Sequence, residues 1–284
     1  MIRLAVRVER SRAELALAEL LELAPAGVEE VELSPALIEY AVYGSPGELP
    51  ALPALRAAVG DGLVSVATSE VADDWQERWR EFHRPLVLAG RLTVRPPWEP
   101  PRSTPLEVVI DPGQAFGTGA HATTRLCLEL LLELTEAAAP AQQGDPPGRG
   151  ALADLGCGSG VLAIAAAALG FRPVVALDND PAALEAARAN AALNHVEIAV
   201  RRCDIRVDPL PRAHTLLANL TTPLLQRLAD RLAALPGPAR PGLVIASGLL
   251  DGETDDVAAA FAAGGLRERE RRLEGEWAAL ALAR

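Results

Sequence analysis

The segment at 151–169, ALADLGCGSGVLAIAAAAL, restricts the possible folds of this chain more than any other stretch. A strand-like apolar run leads into glycines at three alternate positions, Gly156, Gly158 and Gly160, and an alanine-rich helical run follows. Glycine at these positions lets the backbone turn tightly and lets a ligand approach closely, because no Cβ is in the way. A strand, a glycine turn and a helix in this order predict the first unit of a doubly wound α/β sheet with a ligand at the turn.

The spacing of these glycines separates two classes of cofactor. A nicotinamide-binding turn has the pattern GxGxxG, but Val161 occupies the position of its third glycine. The observed pattern, Asp154-x-Gly156-x-Gly158-x-Gly160, is that of S-adenosylmethionine (SAM) methyltransferases. SAM has no pyrophosphate, and its zwitterionic amino-acid tail suits an acid at a strand end together with free backbone N–H groups. The turn therefore favours SAM over a nicotinamide.

Further acids follow the next two predicted strands. Asp178 ends the run VVALD, 22 residues after Gly156, where its carboxylate can accept hydrogen bonds from both ribose hydroxyls of a nucleoside. Asp204 follows the third strand and can either face the adenine or cap a surface turn. The combination of Asp154, the glycines and Asp178, all at strand ends, carries much more information than a glycine turn alone.

Strand and helix patterns alternate through the rest of this region. Strands are expected at 106–110, 151–155, 174–178, 196–201, 214–219 and 242–247, with helices between them. Residues 267–284 read as an antiparallel hairpin around Glu274-Gly275. This alternation predicts a doubly wound, mainly parallel sheet over residues 106–284.

The N-terminal part has a different pattern. Residues 1–67 show the order βαββαβ, with helices at 15–23 and 49–59, which predicts a small α+β, ferredoxin-like domain. Residues 68–105 are expected to form a linker, in which an aromatic helix is followed by an extended proline-rich connector. Trp75, Trp79 and Phe82 lie on one face of that helix. Such small domains usually bind or position a partner.

The composition argues against several classes of protein. The formal net charge is −11 and all 27 basic residues are arginine, so direct nucleic-acid binding is not expected and a basic protein partner is favoured. The three cysteines lack CxxC spacing, which predicts a reduced, cytoplasmic protein without a disulfide framework or metal site. Neither a targeting segment nor a membrane-spanning run is recognisable.

The fourth strand of the α/β region ends at Asn219, where the crevice of a doubly wound sheet lies. Amino-group methyltransferases that act on nucleic acids or glutamine carry Asn-Pro-Pro-aromatic there, whereas this chain reads Asn219-Leu220-Thr221-Thr222. The clamp for a planar amide is therefore missing, which favours a more basic amine. An alternative interpretation is that Asn219 only caps the following helix.

Taken together, these features resemble the bacterial ribosomal protein L11 methyltransferases, a family of SAM-dependent protein-lysine and N-terminal-amine methyltransferases. The resemblance covers about residues 70–284. It rests on Asp111-Pro-Gly-x-Ala-Phe-Gly-Thr-Gly119, His121, Thr123-Thr124, the run DLGCGSGVLAIAA, Asn219, Ser247-Gly248 and Glu274-Gly-Glu-Trp277. It implies a Rossmann-like methyltransferase domain, ribosomal protein L11 as the substrate, and the N-terminal domain as the module that grips that substrate.

The resemblance also implies roles for single residues. The loop at 111–119 would fold over the cofactor and line the slot for the amine, with Phe116 as an apolar wall near the methyl group. Phe116 and Asn219 are the catalytic residues expected. The cofactor-binding residues expected are Thr124, Asp154, Gly156, Gly158, Asp178 and Asn219, together with Phe116, Thr118 and Gly119 of the loop. The role of His121 is open between a structural hydrogen bond and a general base. Gln114, Ala120 and Ala122 depart from the family pattern and leave the exact substrate open.

The reaction expected is in-line transfer of a methyl group from the SAM sulfonium to a neutral amine, with S-adenosylhomocysteine as the product. Asn219 and the backbone carbonyl of Leu220 would hold the nitrogen, and a dry slot would lower the pKa of the incoming amine. Four alternatives stay open: lysine methylation of another protein such as an electron-transfer flavoprotein subunit, methylation of nucleic acid or glutamine, SAM binding without catalysis, and a nicotinamide oxidoreductase.

Overall fold

The computed structural model describes residues 2–13, 16, 20, 29–34, 36–44, 63–70, 84–112, 121–137 and 149–284. The chain divides into two compact units, residues 1–82 and residues 83–284. Among the described residues, no helix is long and apolar enough to span a membrane.

The first unit contains an antiparallel sheet. Its four strands are β1 (Ile2–Glu9), β2 (Glu29–Ser34), β3 (Leu37–Gly44) and β4 (Leu63–Glu70), in the order β2-β3-β1-β4. This order is the one expected of a βαββαβ unit. Ala13, Ala16 and Leu20 are helical and buried with the apolar side chains of β1 and β3. The helix expected at 49–59 and the aromatic helix with Trp75, Trp79 and Phe82 lie outside the described residues.

Three short strands open the second unit. They are β5 (Leu86–Leu88), β6 (Leu92–Arg95) and β7 (Leu106–Val109). β5 and β6 form an antiparallel hairpin, and β7 pairs with β6 in parallel. The sequence predicted an extended connector up to residue 105, but Leu88, Leu92 and Val94 are buried in the core of the second unit. Burial of alternate apolar side chains, rather than the nearby prolines, therefore determines the structure of residues 86–95.

The central sheet has seven strands. They are β8 (Leu152–Leu155), β9 (Val174–Asp178), β10 (Ala199–Arg202), β11 (Thr215–Asn219), β12 (Leu243–Leu250), β13 (Arg267–Glu274) and β14 (Trp277–Ala283). Their order is β10-β9-β8-β11-β12-β14-β13, with five parallel strands and an antiparallel hairpin at one edge. The predicted doubly wound sheet and the predicted C-terminal hairpin are confirmed.

Helices cover both faces of this sheet. They are α1 (Ala122–Ala137), α2 (Val161–Ala168), α3 (Pro181–Leu193), α4 (Thr222–Ala233) and α5 (Thr254–Ala263). α1, α2 and α3 contribute to one apolar core, and α4 and α5 contribute to the other. Residues 161–167 of α2 are all buried, which explains why this helix lacks a polar face and is rich in alanine. The chain winds from β8 toward β9 on one side and toward β11 on the other.

Candidate active site

The predicted site residues of the central sheet meet where the winding direction changes. Leu155 of β8 lies in register with Leu177 of β9 and with Ala218 of β11. The residues that follow these positions therefore emerge side by side at the carboxyl edge of the sheet. In open α/β sheets this crevice is where ligands bind.

The glycine turn follows β8 and packs closely against neighbouring backbone. Gly156 and Gly158 have φ angles of +72° and +51°, which L-residues with a side chain rarely adopt. The N–H groups of Gly156 and Cys157 both donate to the carbonyl of Leu177, at 2.8 and 3.0 Å. A Cβ on Gly156 would lie 2.5 Å from Cδ2 of Leu220. The positive φ angles thus favour glycine in this turn, and the Leu220 side chain packs against Gly156.

Asp154 is a completely buried acid with an unsatisfied oxygen. Its Oδ2 accepts a hydrogen bond from the N–H of Ala163 at 3.1 Å, near the start of α2. Its Oδ1 has no hydrogen-bond partner among the described residues. Burial, with a smaller contribution from the charge of Asp178, raises the pKa of Asp154 to about 7. A cationic hydrogen-bond donor beside Oδ1 would stabilise the carboxylate.

Asp178 lies beside the same turn. Its Oδ2 accepts from the N–H of Gly158 and its Oδ1 accepts from the N–H of Asp180, both at 3.0 Å. Each carboxylate oxygen can accept more than one hydrogen bond, so this anchoring leaves capacity for a ligand. A cavity of about 140 Å³ lies here, and its lining includes Gly156, Asp178, Asp204, Ile205, Leu220 and Leu224.

Asp204 is held within a local turn. Both of its oxygens bind the guanidinium of Arg206, at 2.8 Å, and Oδ1 also accepts from the Arg206 backbone N–H. Arg206 lowers the pKa of Asp204 to about 2. The backbone N–H groups of Val207 and Asp208 donate to the carbonyl of Asp204. These contacts agree with the turn-capping interpretation of Asp204, although this residue also lines the cavity.

Asn219 is bound to the start of α1. Its Nδ2 donates to Oγ1 of Thr123 at 3.1 Å and to Oγ1 of Thr124 at 3.3 Å, and both threonines are buried. No side chain caps α4, whose N-cap residue is Thr221, so Asn219 does not act as that cap. Thr124 was expected from the family motif to contact SAM, and the structure places it against Asn219.

The two acceptors expected to hold the amine lie next to Gly248. A Cβ on Gly248 would overlap the carbonyl oxygen of Leu220 and would lie 3.0 Å from Oδ1 of Asn219. Neither oxygen accepts a hydrogen bond from another described residue. Gly248 has φ +88°, and the N–H of Leu220 donates to the carbonyl of Ser247 at 2.9 Å. Two oxygens without a donor among the described residues therefore lie close to Gly248, where the absence of a side chain lets the Leu220 carbonyl approach.

Two residues of this region had no role assigned from the sequence. Trp277, in the first position of β14, packs its ring edge-to-face on His121, with centroids 4.9 Å apart. The hydroxyl of Thr123 lies 2.8 Å from Nδ1 of His121. Both belong to motifs that the sequence showed, Glu274–Trp277 and Thr123-Thr124, but only the folded chain brings them together.

Of the predicted site residues, the structure assembles Thr124, Asp154, Gly156, Gly158, Asp178 and Asn219 at one edge of the sheet. Phe116, Thr118 and Gly119 lie outside the described residues. Asn190 of α3 holds Asp111, the residue at which this loop begins. Its Oδ1 accepts from the N–H of Asp111 at 2.9 Å, and its Nδ2 donates to the carbonyl of Ser159 at 2.9 Å. The beginning of the loop is thereby tied to the glycine turn.

Comparisons with known proteins agree with this arrangement. The family model for ribosomal protein L11 methyltransferase (PrmA) matches residues 53–284. The ribosomal protein L11 methyltransferase of Heliobacterium modesticaldum is 41% identical over 212 residues, which cover 73% of this chain and 63% of that relative. The corresponding protein of Chloroflexus aurantiacus is 39% identical over 236 residues, which cover 73% of this chain and 68% of that relative.

A solved structure supports the same conclusion. The crystal structure of ribosomal protein L11 methylase from Lactobacillus delbrueckii subsp. bulgaricus is 29% identical and superposes with a TM-score of 0.59, covering 72% of this chain and 98% of that one. The family model matches well over half of the chain. The chain therefore belongs to the ribosomal protein L11 methyltransferase family.

Proposed function

We propose that this protein transfers methyl groups from SAM to lysine side-chain and N-terminal amines of ribosomal protein L11. The relatives that match it are named for that substrate. Methylation of an electron-transfer flavoprotein subunit is the less favoured alternative, because none of those relatives carries such a name. Since the substrate is a ribosomal protein, we also propose that the enzyme acts in the cytoplasm.

The residues at the carboxyl edge of the sheet fit SAM. The unsatisfied Oδ1 of Asp154 suits the ammonium of the amino-acid tail, which would donate a charge-assisted hydrogen bond to it. Asp178, which lines the cavity, suits the ribose hydroxyls, and Leu220, Leu224 and Ile205 suit an apolar base. When bound, SAM supplies a methyl group on a sulfonium, ready for attack by a nucleophile.

The observation that carries the proposal is that Oδ1 of Asn219 and the carbonyl oxygen of Leu220 both lie close to Gly248 and accept no hydrogen bond from the described residues. A neutral primary amine has two N–H groups and one lone pair. Oδ1 of Asn219 and the carbonyl of Leu220 can accept one N–H each, so the lone pair is left to point at the methyl group. Both groups accept hydrogen bonds. They therefore suit an amine, which donates N–H groups, and do not suit a deprotonated oxygen nucleophile, which has no proton to donate. Alignment of this kind can contribute roughly 7–11 kcal/mol to lowering a barrier.

The division of labour along the chain forms part of the proposal. Residues 1–67 would recognise L11, residues 68–105 would link the parts, and residues 106–284 would bind SAM and transfer the methyl group. The N-terminal unit has its own sheet and its own apolar core, which supports an independent role in binding. The net charge of −11 suits a basic protein substrate.

The experiment is incubation of the purified protein with methyl-labelled SAM and purified L11, followed by peptide mapping by mass spectrometry. Label on lysine side chains or on the N-terminal amine is the expected result. An Asn219→Ala variant serves as the control and should lose at least about 100-fold in turnover, by analogy with the loss of one polar group that orients a reacting centre. SAM binding without any label on L11 would keep the cofactor assignment and overturn the substrate.

A further inference from the structure

The amide of Asn219 can hold an amine as proposed in only one of its two orientations. With Oδ1 toward Gly248 the amide can accept a hydrogen bond from an N–H of the amine. With Nδ2 toward Gly248 the amide would place its own N–H groups against those of the amine. We infer that His121 and Thr123 are positioning residues that enforce the productive orientation through a polarised chain of hydrogen bonds. This inference rests on the proposed amine methylation for its function. The hydrogen-bond chain itself, from His121 through Thr123 to Asn219, can be tested without measuring turnover.

The hydrogen-bond chain starts at the first turn of α1. His121 immediately precedes this helix, and its carbonyl accepts from the backbone N–H groups of Thr124 and Arg125, both at 3.1 Å. The N–H of Thr123 also donates to Nδ1 of the imidazole, at 3.4 Å. A ring nitrogen accepts a hydrogen bond only through a lone pair, so this contact requires an Nδ1 without a proton, as in the Nε2–H tautomer. The helix start thus selects one tautomer.

The tautomer determines the direction of the next bond. Oγ1 of Thr123 lies 2.8 Å from the same Nδ1, and because Nδ1 can only accept, the hydroxyl must donate to it. A hydroxyl has one proton, so Oγ1 of Thr123 is left as an acceptor. Thr123 is 1% exposed, so bulk water does not offer a competing partner.

The last link is the amide of Asn219. Oγ1 of Thr123 needs a donor and finds Nδ2 at 3.1 Å, while Oγ1 of Thr124 accepts the second amide hydrogen at 3.3 Å. A reversed amide could accept a hydrogen bond from the Thr124 hydroxyl, but its Oδ1 would face Oγ1 of Thr123, whose proton is already used, so one of the two hydrogen bonds would be replaced by a contact between acceptors. Oδ1 is consequently directed to the side of Gly248 and the Leu220 carbonyl. Trp277 supports the chain by packing on the His121 ring.

Nuclear magnetic resonance tests the chain directly. The protein has four histidines, and in a sample with ¹⁵N-labelled histidine the signals lost in His121→Asn assign the ring of His121. The expected result is the Nε2–H tautomer for His121 and, in a uniformly ¹⁵N-labelled sample, slowly exchanging side-chain amide protons for Asn219. The Nδ1–H tautomer at His121 would overturn the inference, whether or not the protein methylates L11.

Kinetics test the consequence for methyl transfer. Thr123→Val keeps the shape of the side chain but removes the hydroxyl, and we expect kcat to fall about 10- to 100-fold while the Kd for SAM stays within about threefold. Thr123→Ser should restore kcat. His121→Asn keeps a capping acceptor and should retain more activity than His121→Ala. Thr135→Val is the matched control, because its buried hydroxyl on α1 bonds to the Leu132 carbonyl and to no other group in the described part of the chain.

Two outcomes would contradict the inference in this assay. One is a Thr123→Val variant with wild-type kcat. The other is a loss in Thr135→Val as large as that in Thr123→Val, which would indicate damage to α1 rather than misorientation of Asn219. If the wild type methylates no amine at all, the proposed function fails, and the tautomer measurement still decides the inference.

Discussion

The two ends of the candidate site are built differently. At the cofactor end, Asp154, the glycine turn and Asp178 come from two consecutive strand–turn units and are held mainly by backbone hydrogen bonds. At the amine end, neutral polar groups from α1, β11 and β12 meet, and Asn219 and Thr123 are 96 residues apart in sequence. At the cofactor end, acids are thus fixed by N–H groups of neighbouring turns, whereas at the proposed amine end neutral acceptors are oriented by segments that are distant in sequence.

The largest effect is expected at the amine end from Gly248→Ala. The new Cβ would overlap the Leu220 carbonyl and crowd Oδ1 of Asn219, so methyl transfer should fall more than about 100-fold with little change in SAM affinity. Gly265→Ala is a matched control, because Gly265 has φ +86° but no atom within 4 Å of the added Cβ. Both variants share the backbone strain of about 1–3 kcal/mol, which thermal unfolding measures. Equal losses of activity in Gly248→Ala and Gly265→Ala would show that backbone strain, and not the contact with Leu220 and Asn219, causes the loss.

The cofactor end should respond to Asp154→Asn with a large loss of SAM affinity. The wild-type Kd for SAM should rise as pH falls below about 7, since the proposed partner of the SAM ammonium is the carboxylate, whereas the variant should bind weakly at every pH. Calorimetric titration across pH 6–8.5 provides the measurement. A wild-type Kd that does not change with pH would exclude this role for Asp154.

The same substitution gives a stability test without SAM. The folded pKa of Asp154, about 7, is above the ordinary value of 3.8, so the unfolded chain releases its proton at lower pH than the folded chain does. The free energy of unfolding that this group controls therefore decreases as pH rises from about 4 to 7 and is constant above that. At pH 8 Asp154→Asn should be more stable than the wild type by up to about 4 kcal/mol, and the difference should shrink toward pH 4. Denaturant unfolding at the two pH values measures it.

A smaller effect separates the two acids that line the same cavity. Asp178→Asn should raise the Kd for SAM about 10-fold, because a charge-assisted acceptor for a hydroxyl is lost. Asp204→Asn should change it less than about threefold, since both oxygens of Asp204 already bind Arg206. Isothermal titration of both variants under identical conditions gives the comparison. Equal losses would assign Asp204 to the ligand as well.

The smallest effect is expected for an ion pair near the amine end. Arg125 on α1 and Glu274 on β13 are 2.5 Å apart, and each side chain is 34% exposed. Solvent screens such pairs, so Arg125→Gln should lower the free energy of unfolding by at most about 1 kcal/mol. Denaturant titration at low and high salt measures this, and a larger loss would show that the pair holds the C-terminal hairpin against α1.

Much of the fold follows from short-range patterns. The strand at β9 and the C-terminal hairpin appear within a few residues of their expected positions, because apolar alternation and turn glycines are local properties. The hairpin of β5 and β6 was not predicted. Its strands have only three and four residues, and the prolines that follow them dominate the local pattern.

By itself the sequence determined the α/β class and the choice of SAM over a nicotinamide, and it predicted Asp154 and Asp178 near the ends of neighbouring strands. Those features depend on residues that are close in sequence, such as Asp154 and Gly158. Local secondary structure fixes the relative positions of such residues, so their spacing in the sequence predicts their arrangement. Only the tertiary structure brought together Asn219, Thr123 and His121 and placed the Leu220 carbonyl against Gly248. Where distant segments meet, the distances between their side chains decide which group donates a hydrogen bond and which accepts it. No single stretch of the sequence contains those distances.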